Sequence, residues 1–134
     1  MPQLYPYRIF ISHAWAYNEE YYKLEKMMKE HPNFSFSNYS VPKHDPFDDG
    51  TKLTKKLRDQ IEPVQIVIIL GGMYAAHSEW IGFEIDEAVR MKKPTIGVRP
   101  WAQERVPQKV QDAATVMHGW NIGPIVESIR SLVP

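Results

Sequence analysis

The chain has 134 residues, the size of one compact domain, and its 43% hydrophobic content supplies a core and excludes a disordered chain. Lys+Arg and Asp+Glu both total 16, so the net charge is zero and no basic surplus points to a nucleic-acid partner. The absence of cysteine excludes disulfides, thiolate catalysis and cysteine-ligated metals and suits a reducing cytoplasm; no basic leader with an apolar core begins the sequence, and no apolar run nears the roughly 20 residues that span a bilayer, so no membrane is expected.

Tyr7-Arg8-Ile9-Phe10-Ile11 reads as a strand ending at Ser12-His13-Ala14. A helix is expected from Tyr17 to Lys29, because Tyr17, Tyr21, Leu24 and Met28 recur at helical spacing with charges between them. Pro32-Asn33 breaks it, and the alternation in Phe34 to Asn38 predicts a half-exposed strand at the edge of a sheet. Tyr39 to Gly50 is a polar loop. Thr51 to Ile61 is a helix with Leu53, Leu57 and Ile61 inward, ended by Pro63. Val64 to Leu70 is almost continuously apolar, as a strand buried on both faces of a parallel sheet must be.

After Gly71-Gly72, a helix opens near Ser78 and runs to about Lys92. Ile81, Ile85, Ala88 and Val89 share its inner side, while Glu79, Asp86 and Arg90 lie opposite. Pro94 to Val98 is the fourth strand, Trp101 to Ala113 reads as irregular with one helical turn after Pro107, and Thr115 to Met117 is a weak fifth strand. Asn121 is placed to cap a last helix, lined by Ile122, Ile125, Val126, Ile129 and Leu132. Strand and helix thus alternate about five times, which predicts a single domain over residues 1–134, an α/β fold with a mostly parallel sheet flanked by helices.

In such folds ligands gather outside the carboxyl ends of the strands, where strand order reverses. The segments there are Ser12 to Trp15, Tyr39 onward, Gly71 to Ser78, Arg99 to Trp101 and His118 to Trp120. Glu84 falls on the border of the inward side of its helix. It is either a rim glutamate with its head in solvent or a carboxylate held low in the cleft, where lost water raises its pKa.

No glycine-rich phosphate loop is present, and Gly71-Gly72 reads as a tight turn. His13, His77 and His118 fall at one edge, but no short metal-ligand spacing joins them, so no metal is expected. Ser12 and His13 are strand neighbours and point to opposite faces, which is not the geometry of a nucleophile and its base. Asp45, Asp48 and Asp49 lack the twelve-residue calcium pattern and read as a solvated acidic loop. Trp15, Trp80, Trp101 and Trp120 all lie near the ligand edge, where they serve either as walls for a flat ring or as ordinary packing.

Two motifs carry a resemblance. Tyr7 to Ala14 resembles the first-strand signature of TIR domains, and Tyr74 followed by Ser78-Glu79-Trp80-Ile81-Gly82-Phe83-Glu84-Ile85 resembles their third-helix motif. The arginine-aspartate signature of the loop after the second strand is absent, with Tyr39 to Gly50 in its place, and His118-Gly119-Trp120 stands where the family has its late Phe-Trp box. The chain is therefore more similar to divergent bacterial TIR-like proteins of the Thoeris ThsB type, which serve in antiphage defence, than to receptor-adaptor TIR domains.

The resemblance implies a three-layer, flavodoxin-like fold with a five-stranded sheet in the order 2-1-3-4-5. It implies an enzyme that cleaves the nicotinamide–ribose bond of NAD+, taken as substrate with no separate cofactor, and makes an ADP-ribose-derived signalling nucleotide. Glu84 takes the place of the family's catalytic glutamate, and Ser78 and Trp80 those of its motif serine and tryptophan. A family role for the end of the first strand falls on Ser12 and His13, and no single residue of the Tyr39–Gly50 loop carries over; Trp15 and Tyr39 join the expected substrate site from their place in the ligand-edge segments. Self-association through TIR surfaces and a downstream effector that senses the product are the implied partnerships. Two other readings stand beside this one: a non-enzymatic TIR-like interaction module, and a nucleoside deoxyribosyltransferase-like enzyme, which also places a glutamate near a ribose.

Overall fold

A computed structural model of the chain describes residues 6–12, 19–32, 34–39, 58–70, 85–99 and 108–133. In chain order these form β1 (Tyr7–Ser12), α1 (Glu19–Glu30), β2 (Phe36–Asn38), a helical stretch at 58–61 (α2) and β3 (Ile66–Leu70). A helical stretch at 85–90 (α3), β4 (Thr95–Val98), α4 (Gln108–Ala113), β5 (Val116–His118) and α5 (Ile122–Leu132) follow. The five strands make one sheet, parallel at every pairing, in the order β2-β1-β3-β4-β5. This is the flavodoxin-like α/β architecture that the resemblance implies.

The apolar runs become the buried centre of the sheet. All five side chains of β3 are fully buried, as are Ile9, Phe10 and Ile11 of β1 and Ile96 and Val98 of β4. Successive strand residues point to opposite faces, so consecutive buried positions mean that both faces are covered. Right-handed crossovers put α1 and α5 on one face and α2, α3 and α4 on the other. Contacts agree: α1 packs on α5, Arg58 of α2 reaches Glu87 of α3, and α3 and α4 border one groove. Leu24 and Met28 of α1, Ile61 of α2, Ile85 and Ala88 of α3, and Ile125, Val126 and Ile129 of α5 are the buried stripes.

Several boundaries differ from expectation for local reasons. β2 is shorter than Phe34 to Asn38, because Phe34 turns inward to stack between Tyr7 and Phe36, with centroids 5.5 Å and 5.8 Å away. Val64 bonds back to Ile61 and Gln65 donates to the Arg8 carbonyl, so β3 proper begins at Ile66. Gln108–Ala113 forms a six-residue helix where a single turn in an irregular segment was expected. β5 starts at Val116, while Thr115 bonds both the N–H and the carbonyl of Thr95 just before it. Asn121 occupies the N-cap position of α5 in extended conformation, but its side chain makes no capping hydrogen bond. Val89, expected inside, is 54% exposed. Of the other predicted helix residues, Tyr17, Leu53, Leu57 and Ile81 lie outside the described residues.

The C-terminus of α3 is closed by a Schellman turn. Lys92 has φ 58°, its N–H reaches the Val89 carbonyl at 3.0 Å, and the Lys93 N–H reaches the Ala88 carbonyl at 2.9 Å. That left-handed position suits glycine, and a side chain there costs about 1–2 kcal/mol. Part of this is offset by the freedom glycine gains in the unfolded chain. Lys92→Gly is therefore expected to raise the melting temperature by about 2–4 °C, and the β-branched Lys92→Val to lower it, both read by thermal unfolding.

Candidate functional site

β1 sits between β2 on one side and β3 on the other, so the strand order reverses at β1 and β3. The chain leaves β1 toward one side and β3 toward the other, and the crevice between the two departures is the ligand position of this fold class. Ser12 pairs with Ile69 in the β1–β3 ladder, which sets the end of β1 beside the end of β3. Tyr39 follows β2. Asn38 lies opposite Ile9, and the Tyr39 N–H still donates to the Ile9 carbonyl at 2.8 Å, so this chain leaves the ladder below the level of Ser12. The Asn38 amide donates to Glu25 of α1, which fixes the end of β2 against the helix. Tyr39 is half-buried against the core.

Further along the same edge, the His118 ring is hydrogen-bonded through Nε2 to Ser128 Oγ at 2.6 Å, and its carbonyl accepts the Arg99 N–H at 2.8 Å. Trp120 is partly buried and packs on the core, so of the four tryptophans this one follows the packing reading. Among the described residues, no group of three or more His, Asp or Glu is arranged to hold a metal ion. None of their helices is long and apolar enough to cross a membrane.

Among the described residues, the one buried charged side chain lies on α3. Glu87 is only 5% exposed. Its Oε1 accepts from Arg58 Nε at 3.2 Å, and its Oε2 accepts from Arg90 Nε at 3.0 Å and Nη2 at 2.6 Å. Burial on its own raises the pKa of this carboxyl, but the hydrogen bonds and charges of Arg90 and Arg58 outweigh it and hold the group below the usual glutamate value. α3 also borders a groove. Ile85, Asp86, Val89 and Arg90 face Asp112 and Ala113 of α4 across a groove of about 550 Å³. That opening explains why Val89 is exposed.

Of the expected site residues, Ser12 ends β1 and Tyr39 directly follows the neighbouring strand β2. Ser12 is described by its backbone. His13, Trp15, Ser78, Trp80 and Glu84 lie outside the described residues, as do His77, Trp101, Gly71-Gly72 and the acidic loop of Asp45, Asp48 and Asp49. Glu84 immediately precedes Ile85, the first described residue of α3. A family model for the TIR-like domain of the Thoeris protein ThsB matches residues 10–105. The chain belongs to that family. It is therefore a TIR-like protein of antiphage defence. No curated protein matches it.

All seven expected site residues of this TIR-like chain fall inside the matched span. Sequence reading missed two side chains that the structure brings forward. Glu87 was not distinguished from its charged neighbours, although Arg90 three positions on was a readable ion-pair signal. Ser128 had no such signal, because its partner His118 is on another element.

The depressed pKa of Glu87 has a sign. The unfolded carboxyl, near pH 4.3, binds a proton before the folded one does. The stability from this group is fully present above the unfolded value and is lost as pH falls through the folded value. Glu87→Gln is expected to flatten the fall in stability below about pH 4.5, measured by denaturant unfolding from pH 7 to pH 3.

Proposed function

We propose that this TIR-like protein is an NAD+ glycohydrolase or cyclase that releases nicotinamide and makes an ADP-ribose-derived signal in antiphage defence. The observation that supports the reading is that the segment carrying the TIR motif follows, in the chain, the strand end where the crevice opens. The fold's crevice opens where β1 and β3 end, at Ser12 and Leu70, and the TIR motif with Glu84 occupies the chain between β3 and α3. On this reading the 134 residues act as one TIR-like domain in the cytoplasm, with NAD+ as substrate and no separate cofactor.

The reaction asks little of the protein. The bond from ribose C1′ to the nicotinamide nitrogen breaks, and its electron pair stays on the ring, which leaves neutral. Positive charge develops on the ribose as an oxocarbenium ion. An ionised Glu84 stabilises that charge and accepts hydrogen bonds from the ribose hydroxyls, a contribution of about 3–4 kcal/mol in a water-poor site. An oxygen or ring nitrogen then bonds to C1′; a water or hydroxyl attacker gives up its proton. Water yields ADP-ribose, and an attacker within the nucleotide yields a cyclic product. Ser12, His13, Trp15, Tyr39, Ser78 and Trp80 position the substrate. TIR domains commonly self-associate or bind partners, so a neighbouring copy and an effector that senses the product complete the assembly.

The test is to incubate concentrated protein with NAD+ and, in parallel, with deoxynucleosides, and to identify products by mass. Nicotinamide release is expected, falling about 10²–10³-fold or more in Glu84→Gln and less in Trp80→Ala and Ser12→Ala. Full activity in a folded Glu84→Gln variant sinks the assignment. Base exchange on deoxynucleosides with NAD+ untouched selects the deoxyribosyltransferase reading, and no turnover of either selects the interaction module.

A further inference from the structure

Among the described residues, Val89 of α3 and Tyr22 of α1 are the large apolar side chains that the fold leaves exposed, Val89 at 54%. Tyr22 ends in a hydroxyl that suits water, and Val89 has no polar atom. A lone exposed valine is ordinary. Val89 is not alone, because it borders the groove of about 550 Å³ that is also lined by Ile85 of its own helix and Ala113 of α4. Helix flank and groove therefore form one apolar patch, on the face of the sheet opposite α1.

The charges beside Val89 are arranged symmetrically about it. Asp86 stands three positions before it and Lys92 three positions after, and both are exposed. Residues three apart are neighbours on one flank of a helix. The Lys92 N–H bonds the Val89 carbonyl at 3.0 Å, which keeps the base one turn from the valine. The order along this flank is thus acid, valine, base. Such an order is complementary to itself when reversed. Two copies laid antiparallel about a two-fold axis through Val89 set valine against valine and each Asp86 against the partner's Lys92. A flank of one sign would repel its copy. Asp86 also interacts within its own chain, and a carboxylate, with about four acceptor positions, can bond to a partner as well. A foreign partner would need the same order of charges, whereas a second copy has it by symmetry.

We propose that the α3 flank centred on Val89 is a self-association surface, on which a second copy of this chain docks antiparallel, with Val89 at the two-fold axis and Asp86 paired with the partner's Lys92. This inference deepens the self-association of the reading above, and it stands whether or not NAD+ is turned over. In the pair each Val89 covers the other, and the mouth of the groove between α3 and α4 closes. The stretch at 85–90 and α4 are six residues each. At about 1.5 Å per residue each spans about 9 Å. A patch of that size falls short of the roughly 1,200 Å² of a stable interface, so the association is transient and rises with protein concentration.

The experiment is sedimentation velocity from micromolar to millimolar protein, with melting temperatures to show that each variant folds. The wild type is expected to pass from monomer to dimer as concentration rises. Val89→Asp weakens dimerisation about tenfold or more. Asp86→Lys weakens it by setting lysine against lysine, and Asp86→Lys combined with Lys92→Asp restores it. Aspartate tolerates the left-handed backbone at position 92, so the swap keeps the turn. The chain has no cysteine, so a single one reports on geometry. Oxidised with diamide, Val89→Cys is expected to form a covalent dimer about tenfold faster or more than Tyr22→Cys, because a disulfide needs Cα atoms within about 7 Å. A wild type that stays monomeric at millimolar concentration overturns the surface. So does a dimer indifferent to Val89→Asp, a charge swap that restores nothing, or cross-linking at position 89 no faster than at position 22. Nicotinamide release is read on the same samples. A dimer that releases none sinks the NAD+ reading and leaves the surface standing, and a monomer that releases it does the reverse.

Discussion

β1 and β3 run side by side from Ile9 opposite Ile66 to Ser12 opposite Ile69, and every side chain of β3 in that ladder is buried. Both faces of the strand need cover, which a parallel sheet obtains from crossover helices on its two sides. The same pairing fixes where strand order reverses, because β2 has only the other side of β1 to occupy. Core burial and the location of the crevice therefore have one cause. Each full burial of a large aliphatic side chain is worth about 1.5–3 kcal/mol, so a change in the level of Ser12 against β3 is opposed by the whole central ladder. The crevice is an outcome of the most stable part of the molecule.

Residues that reach this edge are held in unequal ways. Ser12 is fixed by the ladder, and Tyr39 by one backbone hydrogen bond and the tie from Asn38 to Glu25. His118 is fixed by its bond to Ser128 of α5. For α3 the ladder offers nothing directly, and the helix depends on its flanks. One flank is closed by directional contacts to α2, and the helix also borders the groove beside α4.

How far the sequence could be read follows from the range of each interaction. β3 was legible because five consecutive buried positions leave an uninterrupted apolar run. The inward stripes of α1 and α5 were legible for the same reason at helical spacing, as Leu24 with Met28 and Ile125 with Ile129 show. On α3 the same rule put Val89 inside and gave Glu87 no place. Hydropathy assigns valine inward and glutamate outward, whereas the actual choice was made by Arg58, 29 residues earlier in the chain, and by the groove beside α4. α4 was read as mostly irregular because six residues are too few to establish a period. The ends of β1 and β2, and hence Ser12 and Tyr39, were readable from strand boundaries alone. The assignment of Glu84 came from motif spacing, since its amphipathic position left both a rim and a cleft reading open.

The family match ends at residue 105, yet the sheet is not finished there. Without β5, the fully buried β4 would be an edge, with Ile96 and Val98 bordering solvent. The segment after residue 105 closes it closely: a Cβ on Gly97 would run into the Met117 side chain, so β4 and β5 fit as a glycine against a long thioether. α5 then covers the far face with Ile125, Val126 and Ile129 and packs on α1. Every residue expected to touch substrate lies before this segment. The segment after residue 105 therefore bears on the sheet, by keeping β4 internal and α1 seated. Its residues answer to packing rules, which many apolar combinations satisfy.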